Sequence, residues 1–429
     1  MTTHDRTTEP GTGSDDRATV DFDHHDPEFH DDRHRRWAEL RAECPVAWNP
    51  NHGGFWAVAG YDEVATVSRE CEVFSSRYEP DADDGVDYLG IAGVPRGRGI
   101  PKAGIAEVEG PPHAALRRAM NPFVLPTAVA DLEPLVRRAA RWFLDQVVED
   151  GEADLVADYA SPVPAISTMA IVGLPLDDWQ AYAELFHATI ALDHRDPAHQ
   201  RAMARVPDML AQLHAEAETR RAEPRDDLLT ALVQLEVGGE RLDDEAVTAV
   251  LWNLVGGGLD TTTSLTALSL LHLAEHPDQR DRLVEDPDLL PTATEEFLRY
   301  FSVNESLSRT VSTDTELGGQ ALSAGDRVLF SWLSANRDEG PFPDPDAVHL
   351  DRAPNPHLAF GVGAHRCIGM HVARSTFQVL VREVLDRVPD FEVVHPVQHY
   401  AGNPTLNGLV SLPVRFTPGE RRGPASRPF

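Results

Sequence analysis

The sequence predicts a mainly α protein with smaller β-sheets, arranged as one large domain. Three observations carry this expectation. Long segments place apolar residues at three- and four-residue spacing, the period of an amphipathic helix. Short β-like pieces bounded by glycine-containing turns occur near the front, after residue 305 and near the end. No Gly/Ser linker or internal repeat divides residues 21–417, whereas residues 1–20 and 418–429 have the polar, Pro/Gly-rich composition of a disordered tail and a flexible tail.

Taken in order, the first feature is HHDPEFHDDRHRR at 24–36, whose spacing fits no helix-face or finger pattern for a metal and reads as a solvated segment. GFWAVAG at 54–60 reads as a short strand, and YDEVATVSRE after it as a helix. Helices then dominate: TAVADLEPLVRRAARWFLDQVVED from 127, DWQAYAELFHATIAL from 178 and RAMARVPDMLAQLHAEAETRRA from 201. A long helix begins with Asp243 or Asp244 as N-cap, carries Val247, Val250, Leu251, Leu254 and Val255, and runs to about His276. At about 1.5 Å per residue it is roughly 50 Å long. SLSRTVSTDTELGGQALSAGDRVLFS from 306 and GLVSLPVRF from 408 return to short strands, with GG and AGD as turns.

A chain of 429 residues can bury a large core together with a cofactor. Its 38 basic and 70 acidic side chains leave a net charge of −32, which opposes binding to nucleic acid or an anionic membrane. No apolar run near twenty residues is apparent, and the N-terminus lacks a basic-then-apolar pattern, so a soluble cytoplasmic protein without a membrane anchor is expected. Cys44, Cys71 and Cys367 are too few and too scattered for a disulfide framework. Cys44 and Cys71 read as core residues.

Two stretches carry chemistry. VGGGLDTTTS at 255–264 lies inside the long helix, where each glycine costs about 0.5–1 kcal/mol relative to alanine. Gly256, Gly257 and Gly258 permit either close packing of a neighbouring helix or approach of a flat ligand to the backbone. Asp260 beside Thr261 adds a carboxylate and a hydroxyl suited to proton delivery, and threonine hydroxyls compete for helix carbonyls. The second stretch is HLAFGVGAHRCIGMHVAR at 357–374. Cys367 there is open to three readings: a nucleophile, a metal ligand (for zinc, with His365 and His371), or a small buried side chain.

Read together, FGVGAHRCIG at 360–369, EFLR at 296–299, GGLDTT at 257–262 and HAALR at 113–117 resemble the cytochrome P-450 family of haem-thiolate monooxygenases in order and spacing. The resemblance covers roughly residues 25–417 and implies that family's fold, with haem b between the long helix and the Cys-ligand loop and its helix. Cys367 matches the axial thiolate, and Phe360, Gly361 and Gly369 match the loop around it. Backbone N–H groups freed by the glycines, and the N-terminus of the following helix, can stabilise a negative sulfur in a dry pocket. His113, Arg117, Arg309 and His365 match the residues that bind the haem propionates, since buried carboxylates need partners. Gly257 lies on the haem face. Glu296 and Arg299 match a buried pair behind the Cys loop, often joined by a further arginine, for which Arg352 is the candidate because the usual position holds Ala347.

The resemblance also implies oxygen activation with two electrons to hydroxylate or otherwise oxidise a small organic substrate in secondary or xenobiotic metabolism. Asp260 relays protons and Thr261 holds a hydrogen-bonded water. Electrons come from separate proteins, a ferredoxin and its reductase, docking on the Cys-loop face near Arg118, Arg366 and Arg374, and the protein is expected to be a monomer. A peroxide-using haem enzyme would carry a basic residue where Asp260 stands, and a haem-binding sensor would not require the acid and alcohol pair. The substrate pocket is expected to draw on residues 77–108, 186–196, Asn253, Gly257, 302–307 and 403–408, with Asn253, Asn304 and Glu305 as polar recognition groups.

Overall fold

The computed structural model describes residues 17–97, 100–401, 403, 405–424 and 426–429. Helices make most of the body. The long helix spans Asp244–Glu275, and Asp243 caps it by accepting from the Ala246 N–H at 2.7 Å. Its first half buries Val247, Val250, Leu251 and Val255 against the helices Pro162–Val172, Trp179–Ala191 and Pro197–Ala222. Its second half buries Leu265, Leu268, Leu270 and Leu273 in a separate cluster with Pro126–Val147, Leu290–Phe301 and Met370–Arg387. The glycine stretch lies where the two cores meet.

The main sheet joins strands from the front of the chain to strands at 306–331. Its strands run Val46–Asn49, Phe55–Val58, Arg327–Ser331, Ser306–Val311 and Phe74–Ser75, and only the pairing of Phe55–Val58 with Arg327–Ser331 is parallel. A smaller antiparallel sheet places Pro413–Arg415 between Glu152–Asp154 and Glu392–Val393.

Several expectations need correction. Of the expected tail at 1–20, residues 1–16 lie outside the described residues. Ala18 and Val20 exchange backbone hydrogen bonds with Trp48 and pack on the front core. At the other end, Phe429 packs against Trp142 and Phe143, and the Arg422 and Gly423 N–H groups donate to Asp145, so the described residues of 418–429 are docked rather than loose. The segment read as solvated is largely a helix, Pro27–Glu43, capped by Asp26, with Phe29, Trp37 and Leu40 buried and His24 beneath it. Cys44 and Cys71 are half-buried rather than core. The helical stretch Leu155–Val172 is long and apolar enough to cross a membrane by composition, but 72% of it is buried inside the protein.

Glu296 and Arg299 are fully buried, and every donor of the guanidinium is used. Arg299 Nε and Nη2 donate to the two Glu296 oxygens at 2.8 Å, while Nη1 and Nη2 also reach the carbonyls of Asn336, Pro345 and Ala347. Arg352 is the third partner, with Nε at 2.9 and 3.1 Å from the same carboxylate. Ala347 contributes only its backbone oxygen. Glu296→Ala would leave Arg299 charged, buried and without its carboxylate, and should cost about 3–5 kcal/mol in urea unfolding. A cost within that of an ordinary surface pair, about 1 kcal/mol or less, would contradict this account.

Candidate active site

The anchored segment after residue 336 delivers the cysteine loop. Asn336 accepts from the Leu358 N–H at 2.7 Å, and the chain then turns with Gly361 and Gly363 at φ 64° and 80°. This left-handed region favours glycine. At Gly363 a Cβ would sit 2.9 Å from the Arg69 Cα, so the backbone itself packs on the Tyr61–Arg69 helix. The Cys367 N–H donates to the Phe360 carbonyl at 2.8 Å, and Gly369 caps the helix Met370–Arg387.

Cys367 has exposed surface, yet it faces an internal cavity of about 340 Å³ rather than the outside. The long helix forms the opposite wall with Asn253, Leu254, Gly257, Gly258 and Thr261. Phe360, His365 and Gly369 border the cavity on the cysteine side, and His113 and Arg117 at its edge. Burial pushes the Cys367 thiol up, and the Gly369 N–H with Arg117, Arg374 and Arg366 pulls it the other way.

Four basic side chains gather at one edge. The His113 and His365 rings are 4.3 Å apart between centroids, and Arg117 Nη1 donates to the Arg366 carbonyl at 2.7 Å. Arg309 is buried behind them; its Nη1 donates to the Ser308 carbonyl, and its Nε is buried with no partner among the described residues. Burial, then the neighbouring Arg309, His113 and Arg117, drives His365 down to about 3, and burial brings Arg309 down to about 10. His365 Nε2 is 3.0 Å from the Ser76 hydroxyl.

The three glycines of the long helix divide the two readings between them. A Cβ on Gly256 would meet Phe186 at 2.7 Å and one on Gly258 would meet Thr168 at 2.4 Å, whereas one on Gly257 would meet nothing within 4 Å. The outer two serve packing, and the middle one leaves room in the cavity. Thr261 Oγ1 lies on the cavity wall and donates to the Gly257 carbonyl at 2.9 Å.

The Asp260 carboxylate does not line the cavity; it is buried on a flank of the helix. His187 Nδ1 lies 2.9 Å from Oδ1, Tyr400 donates to Oδ2 at 2.5 Å, and Ser264 donates to the Tyr400 oxygen at 2.9 Å. Burial opposes a charged His187, but the hydrogen bond to Asp260 and its negative charge raise the pKa overall. Burial, reinforced by Asp260, holds the Tyr400 hydroxyl far above its usual range. His187 and Tyr400 come from 73 and 140 residues away in the chain, and nothing near Asp260 in sequence points to them.

Other expectations divide. Ile91, Ile105, Ala106, Val303, Asn304 and Leu307 line the cavity as expected, but no described residue of 186–196 or 403–408 does, and residues 98, 99 and 404 lie outside the described set. Thr168, Ile171, Val172 and Leu228 line it instead. Glu305 is turned away, ion-paired with Arg33 at 2.8 Å. Arg374 is not a free charge for docking: it pairs with Glu295 through two contacts of 2.6 Å and lies over the Phe360 ring. The ligand atoms of His365, Cys367 and His371 do not gather within 4.8 Å of one another among the described residues, which removes the zinc reading.

A thiol on a cavity wall, a helix face without a side chain opposite it, and a cluster of under-partnered buried bases suit a flat, dianionic metal macrocycle with an axial sulfur ligand. The residues present fit haem. A mainly α fold built around such a site defines a haem-thiolate oxygenase. The chain belongs to the cytochrome P450 family: the family model for Cytochrome P450 matches residues 95–415. It is 31% identical over 398 residues to a linalool 8-monooxygenase of Pseudomonas putida, spanning 90% of this chain and 96% of that protein. It is 34% identical over 395 residues to a steroid C26-monooxygenase of Mycolicibacterium smegmatis, spanning 89% and 92%. A cytochrome P450 of Mycobacterium marinum solved in complex with pseudoionone superposes with a TM-score of 0.81 at 31% identity, covering 90% of this chain and 95% of that one. The protein is therefore an oxidoreductase that incorporates oxygen, with haem as cofactor and a cysteine as its axial ligand.

The raised pKa of His187 sets the sign of a pH effect. The His187–Asp260 pair stabilises the fold fully below the ordinary histidine value of about 6.5 and loses that contribution as pH rises through the raised folded-state value. The urea midpoint should fall across that interval in the native protein and lose this component of the slope in His187→Gln. Identical pH profiles would remove the pair from the account.

Proposed function

We propose that Cys367 is the axial ligand, that His113, Arg117, Arg309 and His365 hold the two propionates, and that the catalytic unit is a single domain over residues 21–417. The observation that carries this reading is the Cys367 sulfur on a cavity wall facing Gly257 and Thr261, with His113, Arg117 and His365 at its edge and Arg309 buried behind them. Phe360, Gly361 and Gly369 shape the sulfur side, and Gly257 leaves space for the ring.

Bound there, haem supplies the oxygen-activating chemistry once two electrons arrive. The protein's own part is to hold substrate, exclude bulk water and deliver protons. Thr261 Oγ1, at the cavity wall, holds a water by turning from the Gly257 carbonyl. Asp260 hands it protons taken from His187 Nδ1 on Oδ1, while the Tyr400 hydroxyl, backed by Ser264, holds Oδ2 in place. The weakly polar cavity lining, with Asn253 and Asn304 as its amides, and the names of the relatives favour an apolar, isoprenoid-like substrate hydroxylated at a C–H bond in secondary or xenobiotic metabolism.

Electrons come from a ferredoxin and its reductase. Exposed Arg118 lines a shallow surface depression beside the cysteine loop, with Leu125 and Ala364, and exposed Arg366 follows Ala364 by two residues; an acidic carrier can dock there against a molecule of net charge −32. The three cysteines without a disulfide fit a reducing, cytoplasmic compartment, and we take the working unit to be a monomer.

The reduced carbon monoxide complex should show the red-shifted thiolate Soret band in the native protein and lose it in Cys367→Ser; a band that survives the change would assign the ligand elsewhere. Thr261→Ala should keep that band but consume reductant with release of hydrogen peroxide and several-fold less product, and unchanged coupling would take Thr261 out of the proton path. Arg118→Glu should slow reduction by ferredoxin several-fold at low salt, with little effect at high salt.

A further inference from the structure

Three histidines outside the active-site cavity come together at the front of the molecule. Asp23, His24 and His25 precede the helix Pro27–Glu43, and His52 sits in the turn between the strands Val46–Asn49 and Phe55–Val58. One ligand atom from each of His24, His25 and His52 lies within 4.8 Å of the others, and the ring centroids are 4.2, 5.6 and 5.1 Å apart. His24 is 1% exposed, yet both of its ring nitrogens are buried with no hydrogen-bond partner among the described residues. Buried polar atoms in folded proteins nearly always have a partner, so a ring with both nitrogens orphaned has at least one free to take a ligand.

The other two rings are already oriented. His52 Nε2 lies 2.8 Å from Asp23 Oδ1, and His25 Nε2 lies 3.1 Å from the Val94 carbonyl, which leaves the Nδ1 of each free. A carboxylate or carbonyl on the second nitrogen is the arrangement that fixes the tautomer of a metal-bound histidine. His52 is held at φ 55°, a conformation a side-chain-bearing residue adopts at a cost. The frame around it is tied down: Asn49 and Asn51 both donate to the Phe22 carbonyl, at 2.8 and 3.0 Å.

We propose that His24, His25 and His52 form a binding site for a divalent first-row transition ion, Zn²⁺ being the expected occupant, with Asp23 as the outer partner of His52 and water completing the shell. Three imidazoles without a thiolate select borderline ions such as Zn²⁺ over Mg²⁺ or Ca²⁺. The ion would fasten the segment before the first helix to the strand turn and, through His25, to the loop at Val94. That loop continues from Ile91, which lines the active-site cavity.

The test uses the tag-free, haem-loaded chain, stripped with chelator and titrated with Zn²⁺ by calorimetry and by metal counting after dialysis. One equivalent should bind in the presence of excess Mg²⁺ and raise the melting temperature. His25→Ala and His52→Ala alter exposed side chains, so both should keep the haem spectrum while losing the tight equivalent, with affinity down about tenfold or more, and Asp23→Asn should weaken it about as much. His214→Ala, which removes an exposed histidine from an unrelated cluster with Glu218 and half-buried Asp244, should leave it intact. Absence of a tight equivalent in the native chain, or equal uptake by the native chain and His52→Ala, would overturn the assignment.

Discussion

The architecture depends on one buried carboxylate. Glu296 has no access to water, so its charge persists only because Arg299, Arg352, the His349 N–H and the Asn355 amide all converge on it. Each of those partners comes from, or in turn grips, the irregular stretch between residues 336 and 355. Such a stretch has few backbone hydrogen bonds of its own and would otherwise be free to move. The charge cluster replaces regular secondary structure as the source of order there, and the cysteine loop inherits its position from it through Asn336 and Leu358. Geometry at the thiol is thus set by a charge pair on a different helix.

The long helix meets a second constraint. It must cross between two cores and also present an unobstructed face to the cavity, and the residues that do this are poor helix formers. Their cost is tolerated because both flanks are pinned: Gly256 under Phe186, Gly258 under Thr168, and Asp260 clasped by His187 and Tyr400. Thr261 completes the pattern by returning its hydroxyl to the Gly257 carbonyl, the competition for helix acceptors expected of threonine.

Legibility in the sequence followed the range of the interactions. The start of the long helix at Asp243, the strand at Phe55–Val58 and the helices of the body rest on local period and capping, and these were readable. The cysteine loop was readable through its resemblance to the family's Cys-ligand motif, whose residues are contiguous, whereas the residues by themselves left Cys367 open to three readings. Arg352 could be named only as a candidate, since its role depends on a fold-back that no local pattern encodes. His187 and Tyr400 were invisible for the same reason, each reaching Asp260 from a distant element. The first helix was missed because its few buried apolar residues, Phe29, Trp37 and Leu40, are diluted by charge. The docked C-terminal residues were missed because polar composition says nothing about a single terminal phenylalanine that finds Trp142.

The unequal surroundings of the three glycines bear on how such a scaffold diversifies. Two of them are sterically committed to neighbouring helices, while Gly257 alone has open space where a side chain would go. Adding atoms there would strengthen the helix by about 0.5–1 kcal/mol, since glycine is the weaker helix former, and would subtract the same atoms from the chamber. Position 257 therefore trades helix strength against the room left for a flat ring, a trade that the two flanking glycines, already filled by Phe186 and Thr168, do not share.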